Sequence, residues 1–411
     1  MAWAAFAAAS GSHSSVPRFE PFPGVLYDIE RLDLGEVTAP PYDVIDDAER
    51  EMLGARSPWN VVHIDLPAEA DGRDRYQNAC HLLHQWLDEG VLLTDDEPAF
   101  YVYRMGYHDE AGHALQTAGV IGALELTEPG SGGVFPHEQT TPKAHSDRLE
   151  MLRSCRANLS AVWGLSLTPG LGALCELPGP PDARWTDDDG VHHRLYRVRE
   201  PGVIAAIRDA VAASPVVIAD GHHRYSTSLA YKGERDEPGG PPDFVMAFIV
   251  ELAPEQLHVL PIHRVLPHIA PAVDVLAALD PWFEAFDAGP LDGASTITAR
   301  MADAGALALV RPDGFWLLRP RAGAFDGVDD LDSSRLEAAL GAIGPHEIAY
   351  QHGVANVVSR VRSEPGVLGV LLRPATVDQI AATAHAGKLM PPKTTFFAPK
   401  PKTGTVFRML D

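Results

Sequence analysis

Cysteine is scarce in this sequence, which has three cysteines among 411 residues. Their wide spacing contains no CxxC pair, so neither a disulfide framework nor a structural zinc site is expected, and a cytoplasmic location is predicted. Long apolar runs are also missing, because no stretch reaches the roughly 18 consecutive apolar residues of a transmembrane helix. The small, apolar start has no basic residue before Arg18, which argues against a secretory signal. Residues 1–16 are predicted to form a flexible extension.

Positive charge is the second shortage, since 33 Lys+Arg stand against 56 Asp+Glu and give a formal net charge of −23. A surface with this charge repels polyphosphate, so no nucleic-acid partner is expected. Lysine is rarer still, and four of the six lysines fall in the last 24 residues, which indicates a local anion site or a solvated tail. The flanking residues favour a site for Lys393 and a solvated surface for Lys388, Lys400 and Lys402.

Glycine and proline, in contrast, are plentiful, with 36 and 35 residues scattered without a repeat. Together with 45% hydrophobic residues, this composition predicts a loop-rich globular protein. Helical spacing alternates with β-branched runs, so a mixed α/β (α+β) fold is predicted. We expect an N-terminal α/β subdomain at 17–170, a linker or surface excursion at 171–190 and a C-terminal α/β subdomain at 191–411.

The clearest functional signal is a β-branched run at 216–219 that continues into Asp220-Gly221-His222-His223-Arg224 and a predicted helix. A helix N-terminus attracts phosphate because its backbone N–H groups lack helical partners and carry partial positive charge. Gly221 permits a tight turn, and the two histidines and the arginine add side-chain donors in the first helical turn. Such cationic side chains oppose the helix dipole unless an anion binds among them. The alternative is a capped helix with exposed basic residues.

The same His-His-Arg triplet recurs at 192–194, within a run that alternates like an ordinary β-strand. The triplet alone is therefore a weak signal. What favours a functional reading at 222–224 is its position after a buried strand and an Asp-Gly turn. Asp220 is placed there to cap the helix, to hold a metal ion or to act as a base.

A second candidate segment is Met390-Pro391-Pro392-Lys393-Thr394-Thr395, which precedes a short predicted strand. The prolines stiffen the loop and would hold Lys393 against an anion. A lysine beside a threonine suits a phosphate group and its bound Mg²⁺. Lys393 and Thr394 are therefore candidate phosphate-binding residues.

His137 and Glu138 are candidates for acid–base chemistry. A carboxylate in this position would deprotonate an alcohol or hold a metal ion, with the histidine orienting it, and a polar surface loop is the alternative. Tyr42 and Asp43 follow a diproline in a rigid turn, which either aims them at a substrate or caps the next helix.

Metal-binding spacings such as HExxH are missing, so the metal ligands are unknown and any metal is expected to be Mg²⁺ bound to phosphate. His258 and His263, in a predicted strand region, are interpreted as core or edge histidines rather than ligands.

The segment IADGHHRYSTSLAY at 218–231 resembles the hallmark of a prokaryotic family known as domain of unknown function 1015. Five further segments resemble other blocks of that family in the same order: APPYDVI (39–45), NVV (60–62), HEQT (137–140), RANLS (156–160) and MPPKTTFFAPK (390–400). Asp147-Arg148-Leu149, downstream of HEQT, belongs to the same pattern. The resemblance runs from Val16 to the C-terminus and implies no particular function.

A more remote resemblance concerns the site. A strand, Gly-x-x-Arg and a helix form the nucleotide-phosphate motif of the ParB/sulfiredoxin superfamily, and residues 221–224 fit this pattern. Members of that superfamily bind ATP or CTP, and one archaeal member is a free serine kinase that uses ADP and has a similar Asp-Gly-His-His-Arg segment. The resemblance implies a ParB/sulfiredoxin-like nucleotide-binding core, and it covers about fifteen residues.

These observations predict a nucleotide-dependent phosphotransferase that acts on a small hydroxylated metabolite, with free L-serine as the best single candidate. Gly221, His222 and Arg224 would hold the phosphates of ATP or ADP, with Lys393 and Thr394 beside them. Asp220 or Glu138 would be the base, and His223 would contact the phosphate or the leaving oxygen.

Two alternatives remain open at this point. One is a nucleotide-binding switch with slow hydrolysis, as in ParB-type proteins, and the other is a phosphate-binding protein without catalysis. The sequence selects neither the nucleotide nor the acceptor, and it does not determine the oligomeric state.

Overall fold

The structure is a computed structural model, and it describes residues 16–109, 112–128, 133–136, 145–235, 239–269, 273–291 and 293–411. Within these ranges the chain forms both helices and strands, so the predicted mixed α/β class is confirmed. None of the helices formed by these residues is long and apolar enough to cross a membrane.

The α-helices vary from single turns to the fourteen residues of the longest one. They are α1 (Leu34–Val37), α2 (Asp47–Arg56), α3 (Val62–Asp65), α4 (Arg75–Asp88), α5 (His145–Cys155), α6 (Leu171–Leu174), α7 (Pro201–Ala212), α8 (His222–Gly233), α9 (Val275–Leu279), α10 (Ala294–Ala304), α11 (Asp332–Leu340), α12 (Val354–Ser363) and α13 (Val377–His385).

The described strands are mostly short, and the strand of twelve residues, Ala114–Glu125, lies within the larger sheet. They are β1 (Phe19–Glu20), β2 (Val25–Tyr27), β3 (Leu92–Thr94), β4 (Phe100–His108), β5 (Ala114–Glu125), β6 (Val134–Pro136), β7 (Ala157–Asn158), β8 (Val162–Ser166), β9 (Ala183–Thr186), β10 (His192–Val198), β11 (Val216–Asp220), β12 (Phe244–Glu251), β13 (His258–Leu266), β14 (Phe283–Asp287), β15 (Leu307–Arg311), β16 (Gly314–Pro320), β17 (Ala349–His352), β18 (Leu368–Leu371), β19 (Thr395–Ala398) and β20 (Arg408–Met409).

Local sequence signals explain where several helices begin. The side chain of Asp46 accepts a hydrogen bond from the backbone of Glu49 and starts α2, as its sequence predicts. Helix α4 begins with a reciprocal capping box between Asp74 and Gln77. Glu200 caps α7, where proline occupies the first helical position. Capping side chains therefore fix these boundaries from within the local sequence.

The larger sheet has nine strands, in the order β6-β11-β8-β12-β5-β4-β10-β9, with β1 paired to β5. Strand β11 runs parallel to β6 and antiparallel to β8, whereas β8 runs parallel to β12, so the sheet is mixed. The apolar run of β11 packs into the core of this sheet, with Val216 and Ile218 buried. The sheet therefore fixes the position at which β11 ends.

The second sheet has seven strands, in the order β14-β16-β15-β18-β13-β17, with β19 paired to β13. Its hairpin β15–β16 turns at Pro312-Asp313, with Arg311 opposite Gly314, and proline, aspartate and glycine are residues that favour such turns. His263 lies on β13 and is buried, in agreement with its interpretation as a core histidine.

The described chain divides into two compact units. One comprises the residues up to His258 together with Pro399–Asp411, and the other comprises Val259–Ala398. This division differs from the one predicted from composition. The Gly- and Pro-rich stretch 171–190 lies within the first unit, where it contributes α6 and β9 rather than a linker. Composition reports loop content, whereas a domain boundary is set by which segments pack together.

Candidate functional site

The turn between β11 and α8 has the geometry that its sequence predicts. Gly221 adopts a left-handed conformation with φ of 84° and forms the N-cap of α8, without a side chain to cap the helix. A Cβ atom at Gly221 would lie 2.9 Å from Nε of Arg224. Glycine is required here both for the backbone conformation and for the close approach of the arginine.

Two cationic side chains converge on Asp220 at this turn. Nη2 of Arg224 lies 2.6 Å from one carboxylate oxygen of Asp220, and the ammonium group of Lys400 contacts the other. The pairing register between β11 and β8 shifts between Ile218 and Asp220, so Asp220 leaves the regular strand ladder just before the helix. The three charged side chains are largely buried, with 10 to 17% of their surface exposed.

The charges around Asp220 determine its protonation state. Burial alone would raise its pKa, but the positive charges of Lys400 and Arg224 outweigh burial and lower the pKa to about 2. The charge of His222 acts in the same direction. Asp220 is therefore ionised at neutral pH, and it holds two cations in place at the N-terminus of α8.

Arg224 is held by more than this ion pair. Its Nη1 donates to the carbonyl oxygen of Ala161. Burial lowers its pKa, but the charges of Asp220 and Asp43 and the nearby Tyr42 raise it overall. Its guanidinium group is thus held by two partners, Asp220 at the end of β11 and Ala161 just before β8.

Beside Arg224 lies a cavity of about 50 Å³. Its walls include Tyr42, Asp65, Arg148 and Thr227 in addition to Arg224. The guanidinium carbon of Arg148 lies 4.2 Å from the centre of the Tyr42 ring, which is a cation–π contact. The structure thus brings Tyr42 and Arg224, both predicted site residues, to one cavity.

Four of the segments that carry the family resemblance meet at this cavity. They are APPYDVI through Tyr42, Asp147-Arg148-Leu149 through Arg148, RANLS through residues 157–160, and the Asp-Gly-His-His-Arg segment through Arg224. In the sequence they are separate blocks. Asp65 and Thr227, which also line the cavity, were not among the predicted site residues.

Lys393 and Thr394 belong to the other compact unit. The backbone oxygen of Lys393 accepts a hydrogen bond from Nη1 of Arg264 at 2.9 Å, while its side chain is exposed. Thr394 is buried, and its Oγ1 lies 2.9 Å from Oγ of Ser333. The role of these two residues in phosphate binding stays a prediction.

The solvated-surface interpretation of Lys400 and Lys402 is wrong. Lys400 contacts Asp220, and Nζ of Lys402 lies 2.7 Å from Oδ2 of Asp187, with both lysine side chains about nine-tenths buried. Lys388, in contrast, is exposed and pairs with Asp329, as a surface lysine does. The one sequence signal for the buried pair is that a proline precedes each of them, which stiffens their backbone.

The control triplet at 192–194 has a structural role. His193 is buried in β10, with Nδ1 2.8 Å from the hydroxyl of Tyr103 and Nε2 3.2 Å from Oδ2 of Asp187. Its ring stacks on that of Trp185. The interpretation of this triplet as part of an ordinary strand is confirmed.

His137 and Glu138 lie outside the described residues, so their predicted roles stay predictions. Asp43 is exposed and follows Tyr42 in a short 3₁₀ turn. Among the residues that the structure describes, there is no group of three or more His, Cys, Asp or Glu side chains that could hold a metal ion.

Comparison with known families decides the classification. Residues 19–334 match the model of a family described as protein of unknown function (DUF1015). The chain belongs to the DUF1015 family. No curated protein matches the sequence.

Solved structures give weaker likenesses. A variant of a free serine kinase in complex with ADP is 14% identical, with a TM-score of 0.36, and the match covers 65% of this chain and 84% of that one. A conserved hypothetical protein from Pyrococcus furiosus is 15% identical, with a TM-score of 0.35 and coverage of 66% and 88%. SbnI from Staphylococcus aureus, with a C-terminal truncation, is 9% identical, with a TM-score of 0.34 and coverage of 69% and 85%. Scores this low do not establish a shared fold.

Proposed function

We propose that this DUF1015 protein is a nucleotide-dependent phosphotransferase that acts on a small hydroxylated metabolite, with free L-serine as the best candidate. The observation that carries the proposal is the convergence of Arg224 and Lys400 on Asp220 at the glycine-capped N-terminus of α8. The nucleotide and the serine are suggested by the resemblance of the Asp-Gly-His-His-Arg segment to the nucleotide-phosphate motif described above.

The N-terminus of α8 is suited to binding phosphate. The N-terminus of a helix favours an anion through its backbone N–H groups and its dipole, and two nearby cations add to this attraction. In the absence of nucleotide, the carboxylate of Asp220 holds the cations in position, as a phosphate oxygen would. Gly221, His222, Arg224 and Lys400 are the residues that would hold the nucleotide phosphates.

In phosphoryl transfer, the protein contributes mainly by positioning the reactants and by stabilising the negative charge of the transition state. A cluster of fixed cations and backbone N–H groups supplies both. Asp220 is a weak base as long as it is paired with two cations, because a pKa of about 2 lies far below neutral pH. Its part in catalysis, like those of Glu138 and His223, stays a proposal.

The fit of Mg²⁺ is limited. The described part of the chain contains no group of three or more ligating side chains, and the carboxylate of Asp220, at the turn, is paired with Lys400. Mg²⁺ therefore belongs to the proposal as an ion carried by the nucleotide phosphates, where it would neutralise charge.

One observation favours a second candidate, a nucleotide-binding switch with slow hydrolysis. The low pKa of Asp220 makes the carboxylate at the turn a weak base, which suits binding better than rapid chemistry. A switch needs the residues proposed to hold the phosphates, Gly221, His222, Arg224 and Lys400, which we call the phosphate cradle. It needs no acceptor for the phosphoryl group.

A turnover assay separates the two candidates. The full-length protein is incubated with ATP or ADP, with Mg²⁺ and with a panel of amino acids and other small alcohols, and nucleotide consumption is measured. Consumption that depends strictly on one hydroxylated compound is expected for the phosphotransferase. Slow consumption that is the same with every compound would support the switch and contradict the transferase.

A further inference from the structure

We propose that the cavity lined by Tyr42, Asp65, Arg148, Arg224 and Thr227 binds the ammonium and carboxylate groups of a small α-amino acid. This inference rests on the proposed function, because it assigns the binding site of the phosphoryl acceptor. It names two residues to which the sequence alone assigns no role, Asp65 and Thr227.

The first observation is the state of the Asp65 carboxylate. Asp65 is 4% exposed, and its Oδ1 accepts from Nη1 of Arg148 at 3.1 Å, while its Oδ2 has no hydrogen-bond partner among the described residues. Burial raises the pKa of Asp65 in spite of the nearby charges of Arg148 and Arg224. An unpaired carboxylate oxygen in a buried position calls for a hydrogen-bond donor, and a positively charged donor suits it best.

The second observation concerns Thr227. It lies on α8, one turn after the site helix begins, and it is 2% exposed. Its Oγ1 also has no hydrogen-bond partner among the described residues. Since a hydroxyl group both donates and accepts, Thr227 suits either polar end of a small ligand.

The third observation is the balance of charge around the cavity. Two guanidinium groups, from Arg148 and Arg224, face one carboxylate in the wall, Asp65. Arg148 also pairs with Asp147 at 2.7 Å, and Arg224 pairs with Asp220. Fixed guanidinium groups favour a carboxylate ligand, because their donors match its two oxygens. A zwitterionic amino acid supplies both partners. Its ammonium group would donate to Asp65, and its carboxylate would accept from Arg148 and Arg224.

The size of the cavity restricts the ligand. At about 50 Å³ it has room for roughly three to five water-sized groups, if each takes about 10–15 Å³. A nucleoside or a peptide exceeds this space, whereas the backbone atoms of a small amino acid fit it. Arg224 lies in the wall of the cavity and also contacts Asp220, so the amino acid would lie next to the proposed phosphate position.

The test uses three related compounds and the full-length protein. Binding of L-serine, of ethanolamine, which lacks the carboxylate, and of 3-hydroxypropanoate, which lacks the ammonium group, is measured by calorimetry with ADP present. L-serine is expected to bind at least about tenfold more tightly than either analogue. Asp65→Asn should lower the affinity for L-serine and for ethanolamine by about tenfold and leave the affinity for 3-hydroxypropanoate unchanged.

Matched variants keep the test falsifiable. Asp332→Asn changes a carboxylate that is equally buried but lies in the other unit, so it should leave serine binding unchanged. If Asp65→Asn does not fold, Thr227→Val is used instead, with Thr117→Val as the control at another buried threonine. Thr227→Val should lower the affinity for L-serine several-fold. Affinity for L-serine that is the same in the cavity variants and in the wild type would overturn the inference.

A separate titration with ADP distinguishes failure of the amino-acid site from failure of the proposed function. If ADP binds but L-serine binds no more tightly than its analogues, the amino-acid site is wrong and the nucleotide site stands. If ADP does not bind, the proposed function fails as well. Retention of ADP binding in Asp65→Asn is expected, since the ion pair of Asp65 is with Arg148, which is not one of the residues proposed to hold the nucleotide phosphates.

Discussion

The ammonium group of Lys400 contacts the carboxylate of Asp220, although 180 residues separate them in the sequence. The contact links the C-terminal segment, which returns to the first unit at Pro399, to the turn that begins α8. Both side chains are largely buried, so the pair is shielded from solvent and its charges interact more strongly than on the surface. This pair is the basis of the proposed phosphate cradle.

Replacement of Lys400 tests the cradle directly. Lys400→Met removes the charge and keeps much of the apolar stem, and we expect affinity for ADP to fall by about tenfold or more, as measured by calorimetry. Lys388→Met, which removes an exposed lysine paired with Asp329, is the matched control and should leave affinity unchanged. Equal affinity in both variants would contradict the assignment of Lys400.

Arg224→Ala removes the second cation. A charge-assisted hydrogen bond contributes about 1.5–3 kcal/mol, so nucleotide affinity should fall by an order of magnitude or more. Stability should fall too, because Asp220 loses one buried partner and the oxygen of Ala161 loses its donor. Arg153→Ala, at an exposed ion pair with Glu234, is the control for affinity. Calorimetry that gives wild-type affinity for Arg224→Ala would rule out the cradle.

Gly221→Ala tests the geometry of the turn. The left-handed backbone costs a non-glycine residue about 1–2 kcal/mol, and the new methyl group would press on Nε of Arg224. We expect a lower free energy of unfolding in denaturant titration and weaker ADP binding. Gly233→Ala, at the end of the same helix, meets no atom within 4 Å and should be neutral or stabilising. A neutral Gly221→Ala would show that the turn tolerates a side chain.

His263 predicts a pH dependence of stability in the second unit. Burial, together with the charges of His352 and Arg264, lowers its pKa from 6.5 to about 4. Between pH 6.5 and about 4 the unfolded chain therefore binds a proton at His263 more readily than the folded chain does. The contribution of neutral His263 to the free energy of unfolding is complete above pH 6.5 and is lost as the pH falls towards 4. The expected loss is about 3 kcal/mol, followed by denaturant titration at several pH values.

The control for this pH dependence is another histidine of the same unit. His263→Gln should flatten the stability profile between pH 6.5 and 4, whereas His385→Gln, at an exposed position in α13, should keep the wild-type slope. If both variants keep the full slope, the acid sensitivity comes from other groups.

Much of the local structure could be predicted from sequence. The strand at 216–220, the glycine turn and the helix after it occur as predicted, because apolar runs, glycine and helical spacing act between residues that are close in the chain. The hairpin around Pro312-Asp313-Gly314 and the helix capped by Asp46 depend on equally local signals.

The partners of the site could not be predicted in this way. Lys400 was assigned to the surface because no pattern in its own segment points to Asp220. Asp65 lies outside the quoted motifs, and Thr227 lies in the helical part of the 218–231 segment, where no spacing marks it as a ligand. Their significance comes from side-chain oxygens that are buried without a hydrogen-bond partner among the described residues. The boundary expected at 171–190 differs from the observed division, because composition does not record which segments pack together.

The sequence by itself determined the DUF1015 membership, the mixed α/β class and the turn that presents Gly221 and Arg224 at a helix N-terminus. Only the tertiary structure decided which charges meet there: Lys400 on Asp220, and Arg148 on Asp65. The physical reason is that backbone conformation is set by neighbours in the chain. The energy of a buried charge is set by neighbours in space, which the fold alone brings together.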